Sequence, residues 1–409
     1  MHRLLLLLPT TTYRTQDFLD AARQLDVDVV CASEQPSTFQ ERDPEHLITL
    51  PFSDPRQAAE QVAEFNREVP IDAVVAVDDL TTVVAAAIAD RLGLRANSIA
   101  AAAAARNKHE MRQRLEAAGV PIPRFRLVSL EQDPSMVSFH AMYPCVLKPL
   151  TLSASRGVIR ANDEAEFVEA FLRIDQLLKR PDVDVSGDAA RFILVEEFIP
   201  GNEVALEGLL VEGELRTLAL FDKPDPLDGP YFEETIYVTP SVLPAGVQDD
   251  ITKVTQAACA ALGLTDGPVH AELRVNDRGA WVLEVAARSI GGLCSRTLRF
   301  GTGMSLEEII LRHALGWEIE SLARERRPAG VMMIPIPRAG RLKAVRGQQA
   351  AARIEGIEEV TMTAHLEQEL IPLPEGWQYL GFIFARGETP EAVEKSLRAA
   401  HAQLDFDIS

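Results

Sequence analysis

Three stretches of the chain carry residues whose types and spacing suit chemistry. In LKPLTLSASRGV (147–158), Lys148 ends an apolar strand and a loop of small residues follows, with Ser153, Ser155 and Gly157. Small residues let main-chain N–H groups and hydroxyls close around phosphate oxygens while the ammonium supplies charge. A serine-rich turn with an incidental lysine has the same appearance. In VEEFIPGNEVALEG (195–208), a strand ends in two carboxylates, turns at Pro-Gly and resumes with Glu203. Free backbone groups over Glu196 to Ile199 would suit an adenine edge and Glu203 a pair of ribose hydroxyls, unless the stretch is a charged hairpin. In VHAELRVNDRGAWVLEVAARSIGG (269–292), apolar alternation about NDRG predicts a β-hairpin with Glu272 and Glu284 on one face. Two such carboxylates repel unless a cation lies between them, and Mg²⁺ favours one or two carboxylates with phosphate oxygens. His270 shares that face, either to neutralise a transferred phosphoryl group or as a structural histidine. Arg288, Gly291 and Gly292 follow, a guanidinium and close amides suited to a developing oxyanion.

The elements that must position these groups change along the chain. Over 1–95, apolar runs at 4–8, 27–32, 46–50 and 73–79 alternate with helical stretches, the pattern of a parallel sheet covered by helices. Ligands of such sheets gather at strand carboxyl ends, where Asp78 and Asp79 fall. Capping of the following helix is the favoured reading of Asp79, with substrate contact the alternative. Residues 96–120 form a helical linker closed by Gly119. Mixed α+β character follows over 121–200 and 201–325, and 326–409 holds strand-like runs and a closing helix. The stretch 181–188 is expected to be an exposed loop, and no internal repeat occurs.

The 61 acidic residues against 41 Lys and Arg give a net charge of −20. Such a field repels nucleic acid and anionic membranes, so an anionic ligand needs a local cluster of cations. Cys31, Cys145, Cys259 and Cys294 have no paired spacing, which argues against a disulfide framework or zinc knuckle and for a reducing cytoplasm. Cys294 reads as a buried thiol, because no base is spaced for it. The Leu4–Leu8 run stops at Pro9 and is expected to be a buried strand rather than a signal peptide or membrane span.

Taken in order, the three stretches resemble the nucleotide site of the ATP-grasp superfamily, whose two α+β subdomains clasp ATP. The resemblance covers essentially the whole chain: a parallel-sheet domain (1–95), a linker (96–120), a small subdomain (121–200), a large subdomain (201–325) and a C-terminal cap (326–409). It implies that Lys108 and Lys148 hold ATP phosphates and that Ser153, Ser155 and Gly157 form the phosphate loop. It further implies that Glu196, Phe198 and Ile199 form the adenine hinge and that Glu203 binds the ribose. Glu272 and Glu284 match the Mg²⁺ ligands, for which Mn²⁺ could substitute, and Arg288 the arginine on the transferred phosphoryl group. The chain departs from many members in having Ala154 for a second loop glycine and Ala286 for an asparagine metal ligand.

EVAARSIGG and FDKPDPLDGPYFEETIYVTPS (221–241) look most like the L-amino-acid ligases that form dipeptides, although Tyr237 stands where a Glu-Thr-x-His pattern has histidine. The resemblance thus implies a cytoplasmic ligase with small carboxylate and amine substrates, an acyl-phosphate intermediate, Glu234 against a substrate ammonium group, and homodimerisation. The alternatives are a ligase acting on a sugar amine or purine-type intermediate, and a nucleotide-binding regulator without turnover.

Overall fold

The computed structural model describes residues 2–183, 185 and 187–409, so Asp184 and Ser186 of the expected 181–188 loop lie outside the described residues. The N-terminal sheet is parallel. Its strands β1 (Arg3–Leu7), β2 (Asp28–Ser33), β3 (Leu47–Thr49) and β4 (Ala73–Ala76) stand in the order β3-β2-β1-β4. The leucine run follows from this placement. Leu4 and Leu6 face a core shared with the large sheet described below, while Leu5 and Leu7 face a second core under the helices Pro55–Phe65 and Asp79–Leu92. A strand covered on both faces needs no polar alternation. No helix among the described residues is long and apolar enough to cross a membrane.

The N-cap of helix Asp79–Leu92 is Asp78, and no side chain caps it. The favoured capping role for Asp79 is therefore wrong; Asp79 sits inside the first turn and its carboxylate is committed to Arg288. Helices Ile99–Arg106 and Lys108–Ala117 join at Asn107, whose side chain accepts from the His109 and Glu110 amides. That cap places Lys108 at the first helical position.

Strands β5 (Phe125–Ser129), β6 (Cys145–Pro149), β7 (Ile159–Ala161) and β8 (Phe192–Glu197) form an antiparallel sheet in the order β5-β8-β6-β7. The helix Glu164–Leu178 covers it through Phe167, Phe171 and Ile174, spaced to share one helical face. The large sheet uses β9 (Asn202–Val211), β10 (Glu214–Asp222), β11 (Ile236–Thr239), β12 (Gly267–Asn276), β13 (Gly279–Ala286), β14 (Ala329–Ile334), β16 (Ile357–Met362) and β18 (Gly381–Arg386). Its order is β13-β12-β9-β10-β11-β14-β18-β16, and β15 (Gly340–Arg346), β17 (Glu369–Leu370) and β19 (Asp405–Ile408) make a small separate sheet.

Two consequences bear on the site. Because β8 and β9 belong to different sheets, residues 198–201 cross between subdomains and are not the turn of a hairpin. The β11–β14 ladder, from Ile236↔Met332 to Thr239↔Ala329, runs across the boundary expected near 326, so the C-terminal strands extend the large sheet. Every residue of β14 is buried, which demands partners on both edges.

Candidate active site

All three main sheets contribute to one cavity of about 460 Å³. From the N-terminal sheet come Pro9, Thr11, Thr12 and Tyr13 after β1 and Asp78, Asp79 and Leu80 after β4. These segments flank the point where the strand order reverses, the usual ligand crevice of such a sheet.

On the small subdomain, the Lys148 ammonium lies 2.7 Å from Glu196 Oε2, and Arg112 Nε lies 2.6 Å from Glu196 Oε1. The Glu196 carboxylate is thus fully engaged with two cations. Burial alone would raise its pKa, but Arg112 and Lys148 outweigh burial and hold it below the ordinary range. Lys108 Nζ donates to the Leu152 carbonyl at 2.8 Å and lies 3.2 Å from Glu284 Oε2, tying the loop 151–158 to the β12–β13 hairpin. Ser153 and Ser155 line the cavity, whereas Gly157 does not. At Gly157 φ is +73° and a Cβ would stand 2.7 Å from Pro149 Cγ, so packing beneath the loop requires glycine there. Its amide donates to the Pro374 carbonyl at 2.9 Å, and Arg156 Nε donates to the Glu375 carbonyl at 2.8 Å. Ala154, where the sequence reading noted an alanine in place of a second loop glycine, adopts φ +54°.

The crossing segment differs in one respect from the free backbone expected over 196–199. The Glu197 and Phe198 amides donate to the Arg124 and Pro144 carbonyls at 2.8 and 3.1 Å, because the end of β8 still needs partners as it leaves the sheet. The Phe198 ring lies 4.1 Å from the Arg160 guanidinium and 4.9 Å from that of Arg274. Phe198, Ile199 and Glu203 all line the cavity. Glu203 meets Lys223 Nζ at 2.8 Å and Arg274 Nε at 3.1 Å.

Glu272 pairs directly with Glu284 across β12 and β13, and directly paired residues project from the same face. Both line the cavity together with Lys148. Behind them sits Lys223, buried, in contact with Glu203 and Glu234 and 3.7 Å from Glu272 Oε1. Burial opposes its charge, but Glu203, Glu234 and Glu272 outweigh burial and raise its pKa. The sequence reading missed Lys223, although it follows an apolar strand much as Lys148 ends one. Glu203, Glu234 and Glu272 bring carboxylate oxygens within 4.8 Å of one another, a geometry that could also hold a cation. The Lys223 ammonium already offsets that trio. Glu272 and Glu284 stand opposite each other on the cavity wall, also with cations nearby: Lys223 and His270 by Glu272, and Lys108 by Glu284. Glu234 Oε1 accepts from Tyr237 Oη at 2.7 Å and also from Lys223, so a protein ammonium already meets one oxygen of the carboxylate expected to face a substrate.

His270 Nδ1 lies 3.1 Å from Glu207 Oε2, and Nε2 lies 3.6 Å from Glu272 Oε1. Burial disfavours its charge, yet the two carboxylates outweigh burial and lift its pKa to about 9. At neutral pH it is a cation at the cavity wall. Arg288 Nε and Nη2 donate to Asp79 Oδ2 at 2.9 and 2.7 Å, and Nη1 donates to the Ser289 carbonyl at 2.9 Å. Gly291 and Gly292 line the cavity beside it. Cys294 packs its sulfur 3.7 Å from Met333 Sδ, and burial raises its pKa, as suits a structural thiol. Tyr13, Tyr237, Tyr379 and Trp377 form an aromatic wall of the same cavity.

Comparison with known proteins agrees with this architecture. The ATP-grasp domain family matches residues 141–297, the ATP-grasp N-terminal domain 19–94, and the L-amino acid ligase C-terminal domain 2 residues 332–409. Alanine–anticapsin ligase of Bacillus subtilis (strain 168) is 26% identical over 268 residues, covering 62% of this chain and 56% of that protein. Dapdiamide A synthase of Enterobacter agglomerans is 31% identical over 198 residues, 48% of this chain and 45% of the other. The chain thus spans about half the length of the curated relatives it matches. The crystal structure of L-amino acid ligase from Bacillus licheniformis superposes with a TM-score of 0.85 at 26% identity, covering 100% of this chain and 99% of that one.

Proposed function

We propose that this chain, which carries an ATP-grasp domain flanked by an N-terminal and a ligase-type C-terminal domain, is an ATP-dependent carboxylate–amine ligase. It would join two amino acids, or an amino acid and another amine, through an acyl phosphate. The observation that carries this reading is the placement of Lys148, Lys108, Glu272, Glu284 and Arg288 on one cavity.

Lys108 and Lys148 hold the phosphates, with Ser153 and Ser155 over them. Phe198 and Ile199 take the base. Glu203 takes the ribose; each of its oxygens carries a second lone pair beyond the bonds to Lys223 and Arg274. Glu272 and Glu284 would hold Mg²⁺, which neutralises charge on the transferring phosphoryl group when bound. The substrate carboxylate attacks the γ phosphorus and displaces ADP. The amine then attacks the acyl carbon and phosphate leaves, with Arg288 and the amides near Gly291 and Gly292 facing the oxyanion. His270, charged at neutral pH, adds positive potential beside Glu272. Exclusion of water by the loop 151–158 keeps the acyl phosphate from hydrolysis.

The test is phosphate release from ATP and Mg²⁺ over a matrix of amino-acid pairs, with mass analysis of the products. An amide formed with one ADP per bond supports the reading. ATP turnover independent of any acid, or none with any pair, sinks it.

A further inference from the structure

The oxyanion segment is held by buried charges from elsewhere in the fold, one from the N-terminal domain and one from β9. Arg14, wholly buried, donates to Ser289 Oγ at 2.8 Å and to Glu307 Oε1 at 2.9 Å. Glu207, also wholly buried, accepts from the Ile290 amide at 3.0 Å. These contacts fix the backbone from which Arg288 projects. They do not fix its head, a planar group at the end of four rotatable bonds.

The head is held by Asp79. A guanidinium has five N–H donors. Asp79 Oδ2 takes Nε–H and one hydrogen of Nη2, and the Ser289 carbonyl takes one hydrogen of Nη1. One N–H therefore remains on each of Nη1 and Nη2, a fork matched to two oxygens of a phosphoryl or tetrahedral acyl group. Arg288 lines the cavity, as does Asp79. Aspartate suits the position because it begins a helix at the carboxyl end of β4, at the switch point facing the large subdomain.

We propose that Asp79 is a positioning residue for the ligase reaction: it clamps the Nε edge of Arg288 so that the Nη1–Nη2 fork is aimed at the reacting group. The inference rests on the ligase reading above. The N-terminal domain then takes part in the chemical step through Arg288, without itself touching the transferred phosphoryl group.

The test is a double-mutant cycle, with Asp79→Ala and Asp79→Asn each made in the natural chain and in the Arg288→Lys background. Lysine has no Nε–Nη edge to clamp. ADP formation is measured with an acid–amine pair that the natural chain accepts, and thermal unfolding is followed in parallel. Asp79→Ala is expected to lower kcat by roughly 10–100-fold, the scale of a misaligned catalytic group, while KM for ATP stays within about threefold. Asp79→Asn keeps an oxygen acceptor at the same place and recovers part of the loss. In the Arg288→Lys background, Asp79→Ala adds little. Equal losses in both backgrounds, or an unchanged kcat in folded Asp79→Ala, overturn the proposal. If Asp79→Ala does not fold, the Asp79→Asn cycle decides by the same criterion. A natural chain that forms no ADP with any pair overturns the ligase reading and this inference together, whereas an active chain indifferent to Asp79 overturns the clamp alone.

Discussion

At the scale of single residues, the site is a set of buried charges that compensate one another. Taking an unpaired charge out of water costs several kcal/mol, so each cation here is matched to a carboxylate: Lys148 to Glu196, Lys108 to Glu284, Lys223 to Glu203 and Glu234, Arg288 to Asp79. Glu284→Gln keeps an oxygen for Lys108 but removes the charge opposite that buried ammonium, so it should fold with a lowered melting temperature while losing the proposed metal ligand. We expect ADP formation to fall by at least about 100-fold at temperatures where the variant is folded; near-full activity would remove the metal assignment. His270 gives a pH signature. Its pKa, about 9 in the fold against 6.5 ordinarily, means that the folded chain binds the proton more tightly. The stabilisation is complete below about pH 6.5 and is lost as pH rises to about 9, on the order of 3 kcal/mol in all. Urea unfolding of metal-free protein across that window should show the decline, and His270→Gln should abolish that part of it.

At the scale of elements, the loop 151–158, proposed to close over the phosphates, is fastened at two ends. Lys108 holds the Leu152 carbonyl from the linker helix. On the other side, Pro374 and Glu375 of the C-terminal region hold Gly157 and Arg156, and Arg173 of the small subdomain meets the Glu375 carboxylate. The same C-terminal stretch carries Trp377 and Tyr379 into the cavity wall. Glu375→Ala keeps both main-chain bonds but frees this stretch from Arg173, so the loop should loosen in part: KM for ATP is expected to rise about threefold and limited proteolysis near 151–158 to accelerate. Unchanged values of both would show that the contact does not govern the loop. Ala154 at φ +54° adds a local cost of roughly 1 kcal/mol that a glycine would relieve.

At the scale of the whole molecule, the domains are joined by apolar and ionic burial together. Leu4, Leu6 and Phe18 of the N-terminal domain share a core with Phe221, Ile290, Phe300 and Phe382. Arg14 crosses the same junction to Glu307, both wholly or nearly buried. Arg14→Met should cost about 3–5 kcal/mol in urea unfolding, because Glu307 is left buried without a partner. The double variant Arg14→Met with Glu307→Leu should recover most of that loss. If it is as unstable as the single variant, the pair is not the source of the cost.

The sequence alone determined whatever depends on local period and composition. It marked the buried leucine strand, the parallel N-terminal sheet, the linker helices with Lys108 at their junction, and the hairpin that sets Glu272 opposite Glu284, since side-chain alternation fixes which residues share a face. Only the tertiary structure decided how distant charges pair. Asp79 reads locally as a helix cap, yet a guanidinium 209 positions away takes its carboxylate. Glu196 reads as part of an adenine hinge, and nothing local reveals that its side chain also anchors Arg112 and Lys148. Lys223 follows an apolar strand, a signal too slight to reveal the three carboxylates from β9, β12 and the segment before β11 that surround it. Coulomb attraction in a buried site acts across space and leaves no period in the chain, so such partners become visible only once the sheets are folded against one another.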